Sequence, residues 1–309
     1  MRIDQLEHLA AVTEHGSLRR AAEHLHLSQS ALSASIRGLE RELGVTLLER
    51  HRAGARVSEE GQDLLPIMAE VLGGVAQLRD AARHGRGASR TLRVGTVHAG
   101  TSALVVPAAQ EFSARHRATT IDVATMLQAE IQERLLEGRL EVGLVNVLPG
   151  DDIPAALEAV ALLAGRPVVC CRTDDALAGQ ESISVDDLRE WPYVSSRPGY
   201  LMHRLTQRLF GSSQPRETFS ADGADMAKLL VANGAGAAVL PDYSIHGDPL
   251  ESAGVITARP LSGPIPEVRM LLVRRRSDRV PRVIAEFEAI IRRLAEGHPQ
   301  HATPRSAAG

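Results

Sequence analysis

Lysine is almost missing from this chain: Lys228 is the one lysine among 35 basic residues, and every other is arginine. Aromatic residues are nearly as scarce, with one Trp, three Tyr and four Phe in 309 residues, which argues against a surface on which successive single-stranded bases stack. The two cysteines, Cys170 and Cys171, are adjacent. Neighbours cannot form a disulfide framework, and on a strand they point to opposite faces, one of them into the core. No apolar run approaches the roughly 18 residues that a membrane span needs. The N-terminal stretch MRIDQLEHLAAVTEHG mixes charge with apolar residues, unlike a secretory signal, so the expected location is the cytoplasm. Nor is there a charge excess. The 35 basic residues face 38 acidic ones, a net of −3, so any nucleic-acid surface has to be local. What remains is a globular composition, 44% hydrophobic and 24% charged, long enough for about two domains.

The first segment reads as closely spaced helices. Ile3, Leu6, Leu9 and Val12 recur at three-residue steps, and Gly16-Ser17 stops that helix and offers a cap for the next. Leu18, Ala21, Ala22 and Leu25 form a second short stripe before the break His26-Leu27-Ser28. Ser28 then caps a third helix from Gln29 to Leu43, whose inner face is Leu32, Ile36, Leu39 and Leu43. That leaves Gln29, Ser30, Ser33 and Arg37 on the other side. Two short helices with small Ala21 and Ala22 between them suggest a helix-turn-helix. The run 45–56 lacks a helical stripe and suggests a small hairpin or wing.

Ser58 opens a long helix, with Glu59 and Glu60 in its first turn, where the helix dipole favours anions. Leu64, Met68, Val71, Val75, Leu78 and Ala82 follow at alternating steps of four and three, the spacing of a coiled-coil seam. Such a stripe is exposed unless it packs on its own domain or a second chain covers it. A partner chain is the simpler solution, and Pro66 should kink the helix. The polar HGRGASR of 84–90 then reads as a linker. Beyond it, apolar β-rich runs alternate with helical spacing, which predicts a mostly parallel sheet with helices on both faces. The expected organisation is a helical head over 1–57, a linker and dimerisation helix over 58–90, and an α/β body over 91–297. Lobe I of that domain would hold 91–162 and 267–297 and lobe II 163–266, with a mobile tail over 298–309.

The third helix has the chemistry to read a duplex. A helix fits the major groove, where base edges display distinct donor and acceptor patterns. Gln29 suits adenine or another base edge. Ser28, Ser30 and Ser33 suit phosphate or base edges, and Arg37 suits guanine or a phosphate. Residues 18–57 hold seven Arg and four Glu, a local +3, with Arg50, Arg52 and Arg56 grouped in the wing. The charge is modest, and a helical bundle with a solvated polar face fits it equally.

The residues themselves go further. GSLRRAAEHLHLSQSALSASIRGLERELGVTLLER followed by RVSEEG resembles the winged helix-turn-helix of LysR-type transcriptional regulators. The body carries LRVG at 92–95, LLEGRLEVGLV at 135–145 and VANGAGAAVLP at 231–241, and these resemble the family's two-lobed effector domain, itself similar to periplasmic binding proteins. The resemblance spans nearly the whole chain. It implies a double-stranded DNA operator, a homodimer or a tetramer built as a dimer of dimers, autoregulation beside a divergent target, a contact with RNA polymerase as one output, and no cofactor. Leu18 and Leu48 stand where the family usually has Phe, Ser30 where Pro is frequent, and Ala34 and Ser35 where Arg and Gln are common. The family's usual half-site therefore does not transfer automatically.

Open α/β sheets bind ligands beyond the carboxyl ends of their strands. The strand Leu92–Val97 carries Thr96 near its end and is followed by His98, Thr101 and Ser102, and Gln128 lies at the next strand-to-helix junction. The resemblance puts effector contacts at both junctions and at SSRPGY over 195–200, hence Ser196 and Arg197. Arg197, His98 and the free N–H groups of a helix end favour an anionic effector, such as a carboxylate. Asp222 and Asp225 suit helix caps as well as ligand contacts. An enzyme is not expected, since G-x-S-x-G and H-E-x-x-H are absent. Gly234-Ala235-Gly236 follows a helix rather than a strand, which spoils dinucleotide-binding geometry. His24 and His26 lie two apart and do not face each other as metal ligands.

Overall fold

The computed structural model describes residues 1–51, 54–84, 90–277 and 279–298. The chain divides into two compact units, a head that runs through the long helix and also takes in Leu136–Arg139, and a body that holds the remainder.

In the head, α1 (Ile3–His15), α2 (Leu18–His24) and α3 (Gln29–Leu43) enclose a core of Leu6, Leu9, Val12, Ala21, Ala22, Leu32, Ile36 and Leu39. The alanines between α2 and α3 let the two helices approach closely. Ser17 and Ser28 accept the N–H groups of Arg20 and Ala31, caps worth about 1 kcal/mol each. Gly44 closes α3 at φ 74, and His26 takes φ 55 in the tight turn before it. Leu43 does not share the buried face and is 39% exposed, because the last turn overhangs the core. Leu18 and Leu48 both pack against the head core. β1 (Leu48–His51) and β2 (Gly54–Val57) form an antiparallel hairpin. It is fastened to α3 by Glu40 Oε1, which accepts the N–H groups of Leu47 at 2.9 Å and Leu48 at 3.1 Å. Ser58 then caps α4 (Glu59–His84) by accepting Gly61 N–H at 2.9 Å. The helix runs through Pro66 as one element.

Among the described residues, the body has a five-stranded sheet in lobe I and a three-stranded and a two-stranded sheet in lobe II. Lobe I holds β3 (Arg90–Thr96), α5 (Val106–Arg115), β4 (Thr119–Thr125), α6 (Gln128–Leu136), β5 (Val142–Val147) and β6 (Leu157–Gly165). The chain then passes into β7 (Pro167–Arg172), α7 (Val185–Arg189), β8 (Tyr193–Ser196), α8 (Leu201–Phe210), β9 (Glu217–Ala221), α9 (Gly223–Ala232), β10 (Ala238–Pro241), α10 (Pro249–Ser252) and β11 (Ile256–Pro260). It returns as β12 (Val268–Arg275) and α11 (Arg282–Glu296). The lobe I sheet has the order β4-β3-β5-β12-β6; β3 is parallel to β4 and β5, while β12 is antiparallel to β5 and β6. In lobe II, β10 and β11 flank β7 antiparallel, and β8 pairs with β9 in parallel. The sheets are therefore mixed rather than mostly parallel. Strands that leave one lobe and come back from the other run against their neighbours, and these account for the antiparallel pairs.

The helix expected over 100–116 is three pieces: a 3-10 turn His98–Gly100, a π turn Thr101–Val105 and then α5. Pro107 explains the widening. It cannot donate to the carbonyl four residues back and its ring crowds that carbonyl, so Val106 N–H reaches Thr101 O instead. The segment leaving β3 thus makes a broad, irregular corner. Residues 85–89 of the expected linker and the tail after His298 lie outside the described residues.

Candidate functional sites

Burial of Leu32, Ile36 and Leu39 turns the opposite face of α3 outward. Gln29, Ser30 and Arg37 are exposed and Ser33 is half-buried. Ser28 Oγ caps Ala31 N–H at 3.1 Å and lies 3.0 Å from Ser30 Oγ. Arg37 Nη1 donates to Ser33 Oγ at 3.0 Å. The predicted readers thus form one continuous polar strip, with hydroxyls at the positive end of the helix dipole and a guanidinium two turns on. Ser35 is used differently. Its Oγ lies 2.7 Å from His8 Nδ1 and its carbonyl accepts from Gln5 Nε2 at 3.3 Å, so it ties α3 to α1 instead of facing out. In the wing, Arg56 is exposed opposite Glu49. The Arg50 backbone pairs with Ala55; its side chain and the whole of Arg52 lie outside the described residues.

The seam on α4 splits in two. Met68 is buried in the head's own core, and Leu64 packs against it, so these two positions are used within the chain. Val75 is half-buried. Val71 at 39% and Leu78 at 70% stay exposed, and so does Ile67 at 57%, on the same face at helical spacing. The side chain of Ala82 is outside the described residues.

In the body, a cavity of about 40 Å³ opens between the lobes, a few times the 10–15 Å³ that one water needs. His98, Gln128 and Ser196 line it, with Asn146, Tyr200 and Gly223. Thr96 does not: it is fully buried and its hydroxyl donates to Val97 O at 2.9 Å, since the strand's alternation turns it into the core. Thr101 and Ser102 lie off the wall because the π turn swings them back; Thr101 Oγ1 is buried with no hydrogen-bond partner, and Ser102 Oγ donates to Asp248 at 3.4 Å. Arg197, one residue past the end of β8, is exposed and does not line the cavity.

Three helices begin at the cavity wall: α6 at Gln128, α8 at Leu201 and α9 at Gly223. Neither α8 nor α9 has a side-chain cap. The Asp222 carboxylate, which could cap α9, instead accepts the Tyr200 hydroxyl. Burial and that acceptor push the Tyr200 phenol up to about 12, so it remains a donor at neutral pH. Burial raises the Asp225 carboxyl, but His98 and Lys228 outweigh it and hold the group below its ordinary range. Ser196, 8% exposed, and Asn146 are buried polar residues on the wall. Asn146 Oδ1 accepts from Tyr243 Oη at 2.9 Å, which leaves its amide N–H groups for the cavity. Asn146 went unpredicted, although one amide inside the apolar strand VGLVNV is a legible signal. Cys170 and Cys171 are both fully buried on β7. Burial pushes Cys171 up to about 11 and Cys170 further, which keeps both as unreactive thiols.

A helix-turn-helix head with a wing, joined by a long helix to a two-lobed body with an inter-lobe cavity, defines a ligand-responsive DNA-binding regulator. The family model described as the LysR substrate binding domain matches residues 85–296, and that of the bacterial regulatory helix-turn-helix protein, lysR family, matches residues 3–62. The chain belongs to the LysR family of transcriptional regulators: it binds DNA through its head and an effector through its body. It is 26% identical over 300 residues to the Hca operon transcriptional activator HcaR of Escherichia coli, covering 96% of this chain and 99% of that one. It is 31% identical over 231 residues to the SDS degradation transcriptional activation protein of a Pseudomonas species, covering 74% and 75%. Among solved structures, full-length OxyR from Pseudomonas aeruginosa aligns with a TM-score of 0.61 at 22% identity, over 94% of this chain and 98% of that one. Full-length CbnR complexed with its target DNA aligns with a TM-score of 0.58 at 22% identity, over 96% and 100%. These relatives are transcriptional regulators, and regulators of this family oligomerise. Among the described residues, no helix is long and apolar enough to cross a membrane.

Proposed function

We propose that this regulator takes a small anionic effector, a carboxylate-bearing metabolite, into the cavity between its lobes. The observation that carries the reading is the meeting of three helix starts at one wall that, among the described residues, holds no carboxylate. Unsatisfied backbone N–H groups at positive dipole ends favour negative charge, and Ser196, Asn146 and Gln128 add neutral donors. The cavity admits little more than the anionic group itself, so the rest of the ligand enters as the lobes part. Differential affinity for one lobe arrangement then shifts the placement of paired heads.

On the DNA side, Ser28, Gln29, Ser30, Ser33 and Arg37 read the major groove, and Arg50, Arg52 and Arg56 hold backbone beside it. Ile67, Val71 and Leu78 of α4 pair with a second copy, which makes the operator a pseudo-palindrome. The working place is the cytoplasm, and an RNA polymerase contact is the output where the regulator activates. A thermal-shift screen of the full chain tests the effector reading with acetate, succinate and other small carboxylates against the matching amides. A bound acid at 100 times its Kd adds about 2.7 kcal/mol to the body's stability. Equal shifts from amides, or stabilisation by amines instead, would reject an anion site.

A further inference from the structure

Lys228 lies on α9 and is 2% exposed. Its Nζ donates to Asp248 Oδ2 and, at 3.0 Å, to the Ser244 carbonyl, and it stands 3.2 Å from Asp225 Oδ1. All of these partners belong to lobe II. Burying an ion costs several kcal/mol, and well-packed apolar residues at such a place are often as stable or more so. Stability alone therefore does not account for a lysine here.

Two contacts leave the cluster for lobe I. Asp225 Oδ2 lies 3.4 Å from His98 Nδ1, and Asp248 Oδ2 accepts from Ser102 Oγ at 3.4 Å. His98 and Ser102 both sit on the corner that leaves β3. One ammonium facing two carboxylates leaves negative charge over, and an imidazole and a hydroxyl of the other lobe meet it. The packing has the same address. Gly223 has φ +81, and a Cβ there would stand 2.2 Å from His98 Cδ2, so the His98 ring rests on the first peptide of α9. The Tyr200 ring lies 6.0 Å away on the cavity side.

We infer that Lys228 is a positioning residue, the anchor of a polar latch between the lobes. It holds Asp225 and Asp248 where they engage His98 and Ser102, and so keeps the cleft closed on its small cavity. The contacts inside lobe II are tight and the two that cross are long, so the crossing pair yields first when the lobes part. An effector group in the cavity meets the His98 ring, whose Nδ1 edge is committed to Asp225. That regulatory consequence rests on the cavity being the effector cleft; the latch does not.

Hydrogen–deuterium exchange of the full chain without ligand reads the latch directly. Lys228→Met should speed exchange about tenfold in both 97–105 and 223–232, and Lys228→Arg should restore part of the protection. Faster exchange in 223–232 with 97–105 at the wild-type rate would overturn the proposal, as would no change in either. Should Lys228→Met loosen the whole body, seen as faster exchange in β7, Asp225→Asn decides. Faster exchange in 97–105 supports the latch, and wild-type exchange there rejects it. If no small acid binds, the anion reading falls while this measurement still stands.

Discussion

On α3, Gln29, Ser30 and Arg37 stand exposed within nine positions of one helix. Around the cleft, the wall is drawn from segments between Val97 and Pro241, and its polar residues are at least half-buried, with Asn146 engaged by Tyr243 and His98 by Asp225 behind the wall. The head separates its fold from its function. Leu32, Ile36 and Leu39 carry stability, and the opposite face is open to change without cost to the core. In the body the groups that would meet a ligand also hold the lobes, so binding and stability draw on the same contacts.

The sharpest test of that contrast is Lys228→Met. It strands two carboxylates and should cost the body about 3–5 kcal/mol, read by urea denaturation through the fluorescence of Trp191, the one tryptophan. Acid should act in the same direction. The Asp225 carboxyl is held below 3.8 in the folded chain, so its stabilisation is complete above that pH and is lost as pH falls through the depressed value. Next, Val71→Asp puts a charge into the exposed stripe of α4. Light scattering should show monomers with an unchanged Trp191 transition; an intact oligomer would assign the stripe another role. Arg37→Ala should cost about 1–3 kcal/mol of operator affinity and lower the salt slope by about 1, again with the Trp191 transition unmoved. Ser196→Ala removes one donor from the cleft and should weaken a stabilising acid by about 1 kcal/mol, with operator binding retained in the absence of ligand. The smallest effect is expected at Cys170 and Cys171. Iodoacetamide at pH 8 should leave both unmodified until the body unfolds, because burial keeps the thiolates from forming.

The α3 strip was legible because its period, cap and polar face all lie within fifteen consecutive residues. So was the general course of the body, from apolar runs such as 142–147. Other elements left no such trace. β9 shows four exposed residues in a row, Glu217 to Ser220, and an edge strand with so little burial has no alternation to read. β6 is rich in alanine and leucine, residues that suit a helix as well as a strand. The π turn follows from Pro107, but only once the neighbouring carbonyls are placed. At the cleft, His98, Gln128 and Ser196 were reachable from their junctions, whereas Thr96, Thr101, Ser102 and Arg197 depended on which way each side chain turns. The seam on α4 was read from spacing alone, and spacing does not say that the head's own core takes up Leu64 and Met68. The engagement of Lys228 with Asp248 spans twenty residues and a change of element, beyond any local pattern.

The enclosure of Lys228 has a practical side. The folded chain presents no accessible ε-amine, so acylating reagents that decorate most proteins at many side chains should find only the terminal amine here until α9 lifts away. Each acylated lysine then reports one release of α9 from its lobe II partners. With reagent concentrated enough to outrun reclosing, the rate at which the peptide holding Lys228 gains mass gives the opening rate, and at lower concentration it gives the open population, with no dye, no metabolite and no knowledge of what the cell supplies.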